Sequence, residues 1–402
     1  MTTKTTVART VDRSSRNMVL NIGPSHPAMH GTLRIVAELD GETITKATLE
    51  IGYLHCGFEK LAEHRTYNQW LTVTDRMNYV SALANNIGFV LAVEALLGVE
   101  VPERCAWIRT VLYELSRLSD HVMNIGLMAM DLGAMTPMLW SFKERETLYD
   151  VFEACCGGRM TMSYPRVGGL ARDVPKDFKE RVRFGIKGIR SYCDEIETML
   201  TKNRIWLDRT QGVGILTKED AVQYGATGPV LRASGVPYDL RKDAPYLCYD
   251  RVDFDVVTSD TCDVNGRYHV RLDEMREAVR IVEQCLDKMP EAGPINVDDY
   301  GVILPPKEKV YDQMESLIHH FKLIMEGMRM PVGESYHATE APNGELGYYV
   351  VSGGTGRPHR LHVRAPTFYN YQPYPLMIEG RMISDAIAAM ASLNIVAGEL
   401  DR

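Results

Sequence analysis

The stretch PERCAWIRTVLYELSRLSDHVMNIGLMAMDLGAMTP, residues 102–137, decides the fold class. Ile108, Val111, Leu112, Leu115, Leu118, Val122 and Ile125 recur at the three-and-four spacing that places them on one face of an α-helix for about five turns. Pro102 suits the start of such a helix, because its missing N–H has no partner in a first turn. The pattern predicts that Leu127–Ala134 prolongs the same face and that Pro137 stops it. On the N-terminal side, Val80, Leu83, Ile87 and Leu91 mark a second helix over Asn78–Leu97, closed by Gly98. On the C-terminal side, helices are expected at Lys143–Ala154, Lys176–Leu200, Arg271–Met289 and Lys307–Glu326, with a shorter one at Lys218–Tyr224.

The flanks read differently. Val19, Asn21 and Gly23, then Leu33, Ile35, Ala37 and Leu39, alternate with a period of two, so two strands are joined by the loop Gly23–Gly31. Ile44–Ile51 is a third strand, and the layer is expected to be antiparallel. Gly347–Val351 and Arg360–Arg364 are strands separated by the turn-rich Ser352–Pro358, and a last helix covers Met382–Met390. Strands, a helical bundle and strands again make an α+β fold, with a central bundle flanked by N- and C-terminal β elements. The division follows: an arm at 1–17, flexible or strapped along a neighbour; a β-rich region with the histidine loop at 18–75; a helical core at 76–330; and a hairpin and helix region at 331–402.

Composition narrows the function. The 402 residues are 45% hydrophobic and 24% charged, as in a soluble globular protein. Forty-five Lys and Arg against 53 Asp and Glu give a net charge of −8, which argues against a nucleic-acid partner. Asn86–Val101, the most apolar run, carries Glu94 and is too short to span a bilayer, and Met1–Met18 lacks the apolar centre of a signal peptide. A cytosolic protein, or one held on a cytosolic face, is expected. Eight cysteines without any C-x-x-C are too sparse for a disulfide framework and lack the usual spacings of zinc or iron–sulfur ligands. Reduced and mostly buried thiols are expected. The 21 methionines are read mainly as core filler.

Phosphate signatures are lacking: Gly353–Gly356 is followed by no Lys-Ser/Thr, and a hairpin turn accounts for it. The densest segment is His26-Pro-Ala-Met-His30-Gly31. Two readings stand there: loop histidines bonded to backbone, or an imidazole proton donor, which needs a carboxylate to hold its tautomer. Asp131 is the candidate carboxylate. It follows the apolar Ile125–Met130 at a helix end, where the macrodipole disfavours an acid, and buried it must be paired or protonated. Glu340-Ala-Pro-Asn-Gly-Glu345 is a second dense motif, accounted for by a tight turn.

Taken together, these segments resemble a known family. Asn21–Arg34, Ile51–Lys60, Glu63–Tyr67, Glu114–Arg117, Asp131–Ala134, Lys143–Glu146, Leu231–Gly235, Gly344–Tyr349, Val363–Pro366 and Gly398–Arg402 are similar, in order, to the 49 kDa (or D) subunit family of respiratory complex I. The likeness runs from about residue 18 to Arg402. It implies a peripheral-arm subunit of a proton-translocating NADH–quinone oxidoreductase, inactive alone, on the cytoplasmic face of a bacterial inner membrane. It also implies a fold similar to the large subunit of nickel–iron hydrogenases. Those hold their metal with two C-x-x-C pairs, whereas the corresponding Thr74–Tyr79 and Ser392–Gly398 contain no cysteine, so no such metal is held and the cavity is left for quinone.

By the resemblance, His30 and Tyr79 hydrogen-bond the quinone headgroup, with His26 beside them on the loop. Asp131 pairs with His30, and Arg76 lies near a terminal iron–sulfur cluster that the neighbouring subunit ligates. The chain holds no cofactor of its own, and quinone is its substrate. The implied partners are other peripheral-arm subunits, especially the cluster-bearing neighbour and the C subunit, and membrane-arm subunits including H. The sequence departs from the family pattern at Thr161, where many members have a histidine linked to proton-coupled cluster reduction; threonine does not titrate near neutrality. Two alternatives remain at this level: the equivalent subunit of a ferredoxin- or deazaflavin-fed complex, and a scaffold whose cavity is inherited but unused.

Overall fold

The computed structural model describes residues 18–402. It opens with an antiparallel meander, β1 (Met18–Ile22), β2 (Arg34–Asp40) and β3 (Thr43–Glu50), with Ile22 opposite Ile35 and a bulge at Glu38/Leu39. The period-two pattern becomes burial: Ile35, Ala37 and Leu39 face inward while their neighbours do not.

Helices α1 (Tyr67–Met77), α2 (Ala82–Leu97), α3 (Glu103–Asp131), α4 (Met135–Cys156), α5 (Phe178–Ile196) and α6 (Val264–Lys288) build the centre. A second antiparallel meander follows, β4 (Val332–Ala341), β5 (Gly344–Gly353) and β6 (Pro358–Arg364), then α7 (Ile383–Leu393) and α8 (Ala397–Asp401). The fold is the expected α+β arrangement of a central helical region between small terminal sheets. The first sheet shares an apolar core with α7 through Ile35, Ala37, Met390 and Leu393. The second packs on α1 and α2 through Trp70, Phe89 and Tyr348, whose rings meet edge-on with Trp70–Phe89 centroids 4.6 Å apart.

Helix α3 starts after Pro102 as expected, but ends at Asp131 rather than running to Pro137. Pro137 lies in the first turn of α4, where a missing N–H removes no intrahelical bond. The helix is also buried around nearly its whole circumference, because other helices surround it. Its charged residues are therefore paired inside the protein: Arg109 makes a two-pronged contact with Glu94 at 2.8 Å, and Arg117 and Arg241 flank Glu114.

Three further departures have local causes. Helix α1 is not marked by apolar spacing, since its register alternates with polar Asn68, Gln69 and Thr72; a capping box of Thr66 and Gln69 starts it and burial of Trp70 and Leu71 holds it. Strand β4 is half polar and gains its partner only by pairing along β5. The helix expected over Lys307–Glu326 is two, Lys307–Asp312 and Met314–Met325, broken where Gln313 is extended. All eight cysteines are free, five of them buried. Among the described residues, no helix is long and apolar enough to cross a membrane. The arm expected at residues 1–17 lies outside the described residues.

Candidate functional site

The loop between β1 and β2 is shaped by glycine at both ends. Gly23 has φ +92°, and a side chain there would meet the Leu33 carbonyl oxygen at 2.0 Å. His26 caps the single 3-10 turn Pro27–Met29, its Nδ1 accepting the Ala28 N–H at 3.2 Å, while Ala28 and Met29 anchor the turn in the core beneath the sheet. His30 ends the turn in the left-handed region, φ 51° and ψ 29°, which is uncommon for a side chain of its size. The two histidines therefore part company. The backbone-bonded reading holds for His26, which is exposed, whereas His30 is turned inward and half-buried.

His30 Nε2 lies against Asp131 Oδ2, a pairing across 101 positions of sequence. Asp131 is the last residue of α3, and its side chain is only 6% exposed against 14% for the imidazole. The acid at the unfavourable end of a helix dipole is thus paired with a histidine. The carboxylate fixes the ring and occupies Nε2, while among the described residues no hydrogen bond engages Nδ1.

Tyr79 follows the C-terminus of α1. Burial pushes its phenol above the ordinary tyrosine value, so the hydroxyl keeps its proton and is a donor at neutral pH. No protein hydrogen bond takes up that hydroxyl among the described residues. Tyr79 and His30 are not bonded to each other; the C-terminal segment touches both the histidine loop, at Gly31, and the stretch before Tyr79, at Arg76 and Met77. A side chain at Gly31 would strike Ala397 Cβ at 2.6 Å, and one at Gly398 would strike the carbonyl oxygens of Met77 and Arg76 at 2.7 and 2.8 Å. The two stretches Thr74–Tyr79 and Ser392–Gly398 are accordingly packed directly together, with the histidine loop against the second of them. Arg76 is exposed on the last turn of α1, beside Asp75, whose carboxyl burial raises to about 6. Thr161 stands apart, exposed in the loop after α4, near Arg159, which is engaged by Asp150 and Glu153.

Sequence reasoning missed the polar groups behind this surface. Asn78, Asp120, Asn343, Asn394 and Glu399 are clustered there, and all but the half-buried Asn394 are nearly inaccessible. The Glu340–Glu345 motif is the expected turn, a two-residue hairpin linking β4 to β5. It is also more than that: Glu340 is fully buried against Arg232 at 2.7 Å, and Asn343 joins the polar cluster. A buried Asn or Glu has no sequence mark when its burial comes from distant segments. Two surface clefts lie elsewhere, one of about 400 Å³ lined by Asp150, Arg181 and Phe184 and one of about 340 Å³ lined by His55, Arg360 and Arg402. No three His, Cys, Asp or Glu side chains among the described residues are grouped to hold a metal ion.

Residues 131–402 match the family described as respiratory-chain NADH dehydrogenase, 49 kDa subunit. The chain is 51% identical over 391 residues to the NADH-quinone oxidoreductase D 1 subunit of Sorangium cellulosum, covering 97% of each protein. It is 50% identical over 389 residues to the NADH-quinone oxidoreductase D subunit of Geotalea uraniireducens, covering 97% of this chain and all of that one. With the NADH-quinone oxidoreductase C/D subunit of Bdellovibrio bacteriovorus it shares 51% identity, covering 97% of this chain and 69% of the relative. An α+β chain with a buried polar centre and a histidine–carboxylate pair at its edge is thus of the 49 kDa subunit class. The chain belongs to the respiratory-chain NADH dehydrogenase 49 kDa subunit family.

Proposed function

We propose that this chain is the subunit of a proton-translocating NADH–quinone oxidoreductase that forms the quinone headgroup site. The observation that carries the reading is the inward-turned His30, held by Asp131, on a loop packed through Ala397 and Gly398 against the segment bearing Tyr79, whose phenol is bonded to no other described residue. A quinone needs donors on its carbonyl oxygens, and here two are supported by buried backbone. Tyr79 donates its hydroxyl proton to one oxygen; His30, as the imidazolium whose Nε2–H is held by Asp131, donates its Nδ1–H to the other. Two electrons and two protons convert quinone to quinol. A cluster held by the neighbouring subunit would supply the electrons, and the two protons come from Tyr79 and His30. Deprotonation of His30 leaves the Asp131 charge uncompensated in a poorly solvated place, and that imbalance is the event that couples reduction to the membrane arm. Exposed Arg76 adds positive charge on the side that faces the cluster.

The naming of relatives as D subunits of an NADH–quinone oxidoreductase supports the complex, and the C/D relative supports the C subunit as a direct neighbour. Other peripheral-arm subunits, a membrane-arm contact with the H subunit, and a place on the cytoplasmic face of the inner membrane follow from the same reading. The test uses membranes carrying Tyr79→Phe, assayed with NADH and either a short-chain quinone or ferricyanide. Loss of quinone reduction with ferricyanide reduction retained is the expected result. Both activities unchanged would remove Tyr79 from the site and leave the chain a scaffold.

A further inference from the structure

The turn that carries Tyr79 is held from behind. Asn78 Oδ1 accepts the N–H groups of Val80 and Ser81 at 3.2 and 3.1 Å, so its side chain bridges over Tyr79 and fixes the entry into α2. The amide nitrogen of the same side chain points at Glu399 Oε2, 3.5 Å away. That oxygen also accepts from Asn343 at 3.4 Å and from the Thr367 hydroxyl, whereas Oε1 is buried without a partner. Asn343 accepts in turn from Asn394, which also donates to Asp120. Side chains from separate segments thus run from the Tyr79 turn into the centre of the protein.

A glutamate is a costly choice for this position. Three donors converge on one oxygen, a task that the amide of glutamine performs without a charge to desolvate. Glu399 is 1% exposed, and burial pushes its carboxyl up to about 7. Asp120 on α3 raises it further, while Arg364 at the end of β6 and the Thr367 and Asn343 donors pull it down; the Tyr348 hydroxyl faces it from β5. Helix α1, which packs on α8, carries Asp75 and Arg76 in its last turn, and Asp401 and Arg402 follow on the same segment. The long contact to Asn78 is one that an ionised carboxylate has room to shorten, since a charged acceptor draws its donors to about 2.7–2.9 Å.

We propose that Glu399 is a positioning residue for Tyr79: its ionisation tightens the Asn78 turn and so sets how firmly the tyrosine engages the quinone headgroup. The inference rests on the reading of Tyr79 as a headgroup donor given above.

The test is the pH profile of quinone reduction by the assembled complex in membranes, with NADH and a short-chain quinone, from about pH 6 to about pH 8. In the unaltered complex the KM for quinone falls by about three- to tenfold as the carboxylate forms, the range of one charge-assisted hydrogen bond, with kcat moving less. Glu399→Gln keeps an acceptor for Asn78 but cannot titrate, so the fall in KM with rising pH is lost. Thr367→Val removes a donor that favours the carboxylate and shifts the midpoint to higher pH. A flat profile in the unaltered complex overturns the proposal, as does a Glu399→Gln profile that still bends at the same pH. If Glu399→Gln fails to assemble, seen as lost ferricyanide reduction, the Thr367→Val midpoint decides: one that stays put overturns the proposal. Tyr79→Phe separates the two levels. A sensitive Tyr79 with a flat profile sinks this inference alone, whereas an insensitive Tyr79 sinks the site reading beneath it.

Discussion

Replacing Asp131 by asparagine keeps the shape of the partner that holds His30 and deletes its charge. The pair is neither a surface contact nor a fully buried one: its side chains are 14% and 6% exposed. An exposed ion pair contributes about 0–1 kcal/mol and breaking a buried one costs about 3–5 kcal/mol, so this pair falls between. Asparagine retains a neutral acceptor for the imidazole, which leaves a loss of about 1–2 kcal/mol to the charge itself. In the transition state for quinone protonation that loss corresponds to a roughly five- to thirtyfold drop in kcat/KM for a short-chain quinone. The assay is NADH–quinone reduction in membranes, normalised to ferricyanide reduction so that assembly is held constant. The second half of the experiment is His30→Gln alone and combined with Asp131→Asn. If the residues act as one unit, the double variant is scarcely worse than either single, a coupling of about 1 kcal/mol or more. Effects that add to within about 0.5 kcal/mol, or an Asp131→Asn rate within about twofold of the original, would refute the argument.

Two further outcomes follow from the packing. In Gly398→Ala the new methyl meets the carbonyl oxygens of Met77 and Arg76 inside contact distance, so the end of α1 must shift at a cost of about 1–3 kcal/mol; quinone reduction falls more than ferricyanide reduction, and equal retention of both would count against the wedge. His121, buried and bonded through Nε2 to Glu274 at 2.9 Å, is held down to about 4 by desolvation, so it is neutral in the folded chain. Its contribution to stability is complete above pH ~6.5 and is lost as pH falls toward about 4, up to ~3 kcal/mol; thermal unfolding of His121→Gln over that window should show a shallower acid limb, and an unchanged limb would exclude this residue as its source.

Much of the architecture is written in short-range pattern. The spacing of Ile108 to Ile125 is a helix because each apolar residue meets the next on one face within a turn or two. The alternation of Ile35, Ala37 and Leu39 is a strand for the same local reason, and Gly98 ends α2 in a left-handed turn that its missing side chain allows. Asp131 is conspicuous in the sequence because an acid at a helix C-terminus contradicts the local dipole, and a local contradiction asks for a distant partner.

The identity of that partner is another matter. His26 and His30 are four positions apart in one loop, and nothing in their spacing says which turns inward; that depends on Gly31 fitting against Ala397, more than 360 residues away. Strand β4 and helix α1 escape notice because partner strands and packing neighbours, not their own periodicity, stabilise them. Least visible of all are Glu399, Asp120 and Asn343. A carboxyl or amide on the surface and one sealed in the centre are the same letters, and only the closing of distant segments removes the water that distinguishes them. What the sequence determines alone is therefore what neighbours along the chain can enforce. What the tertiary structure decides is which polar groups lose their solvent, and with it which of them can hold, aim or release a proton.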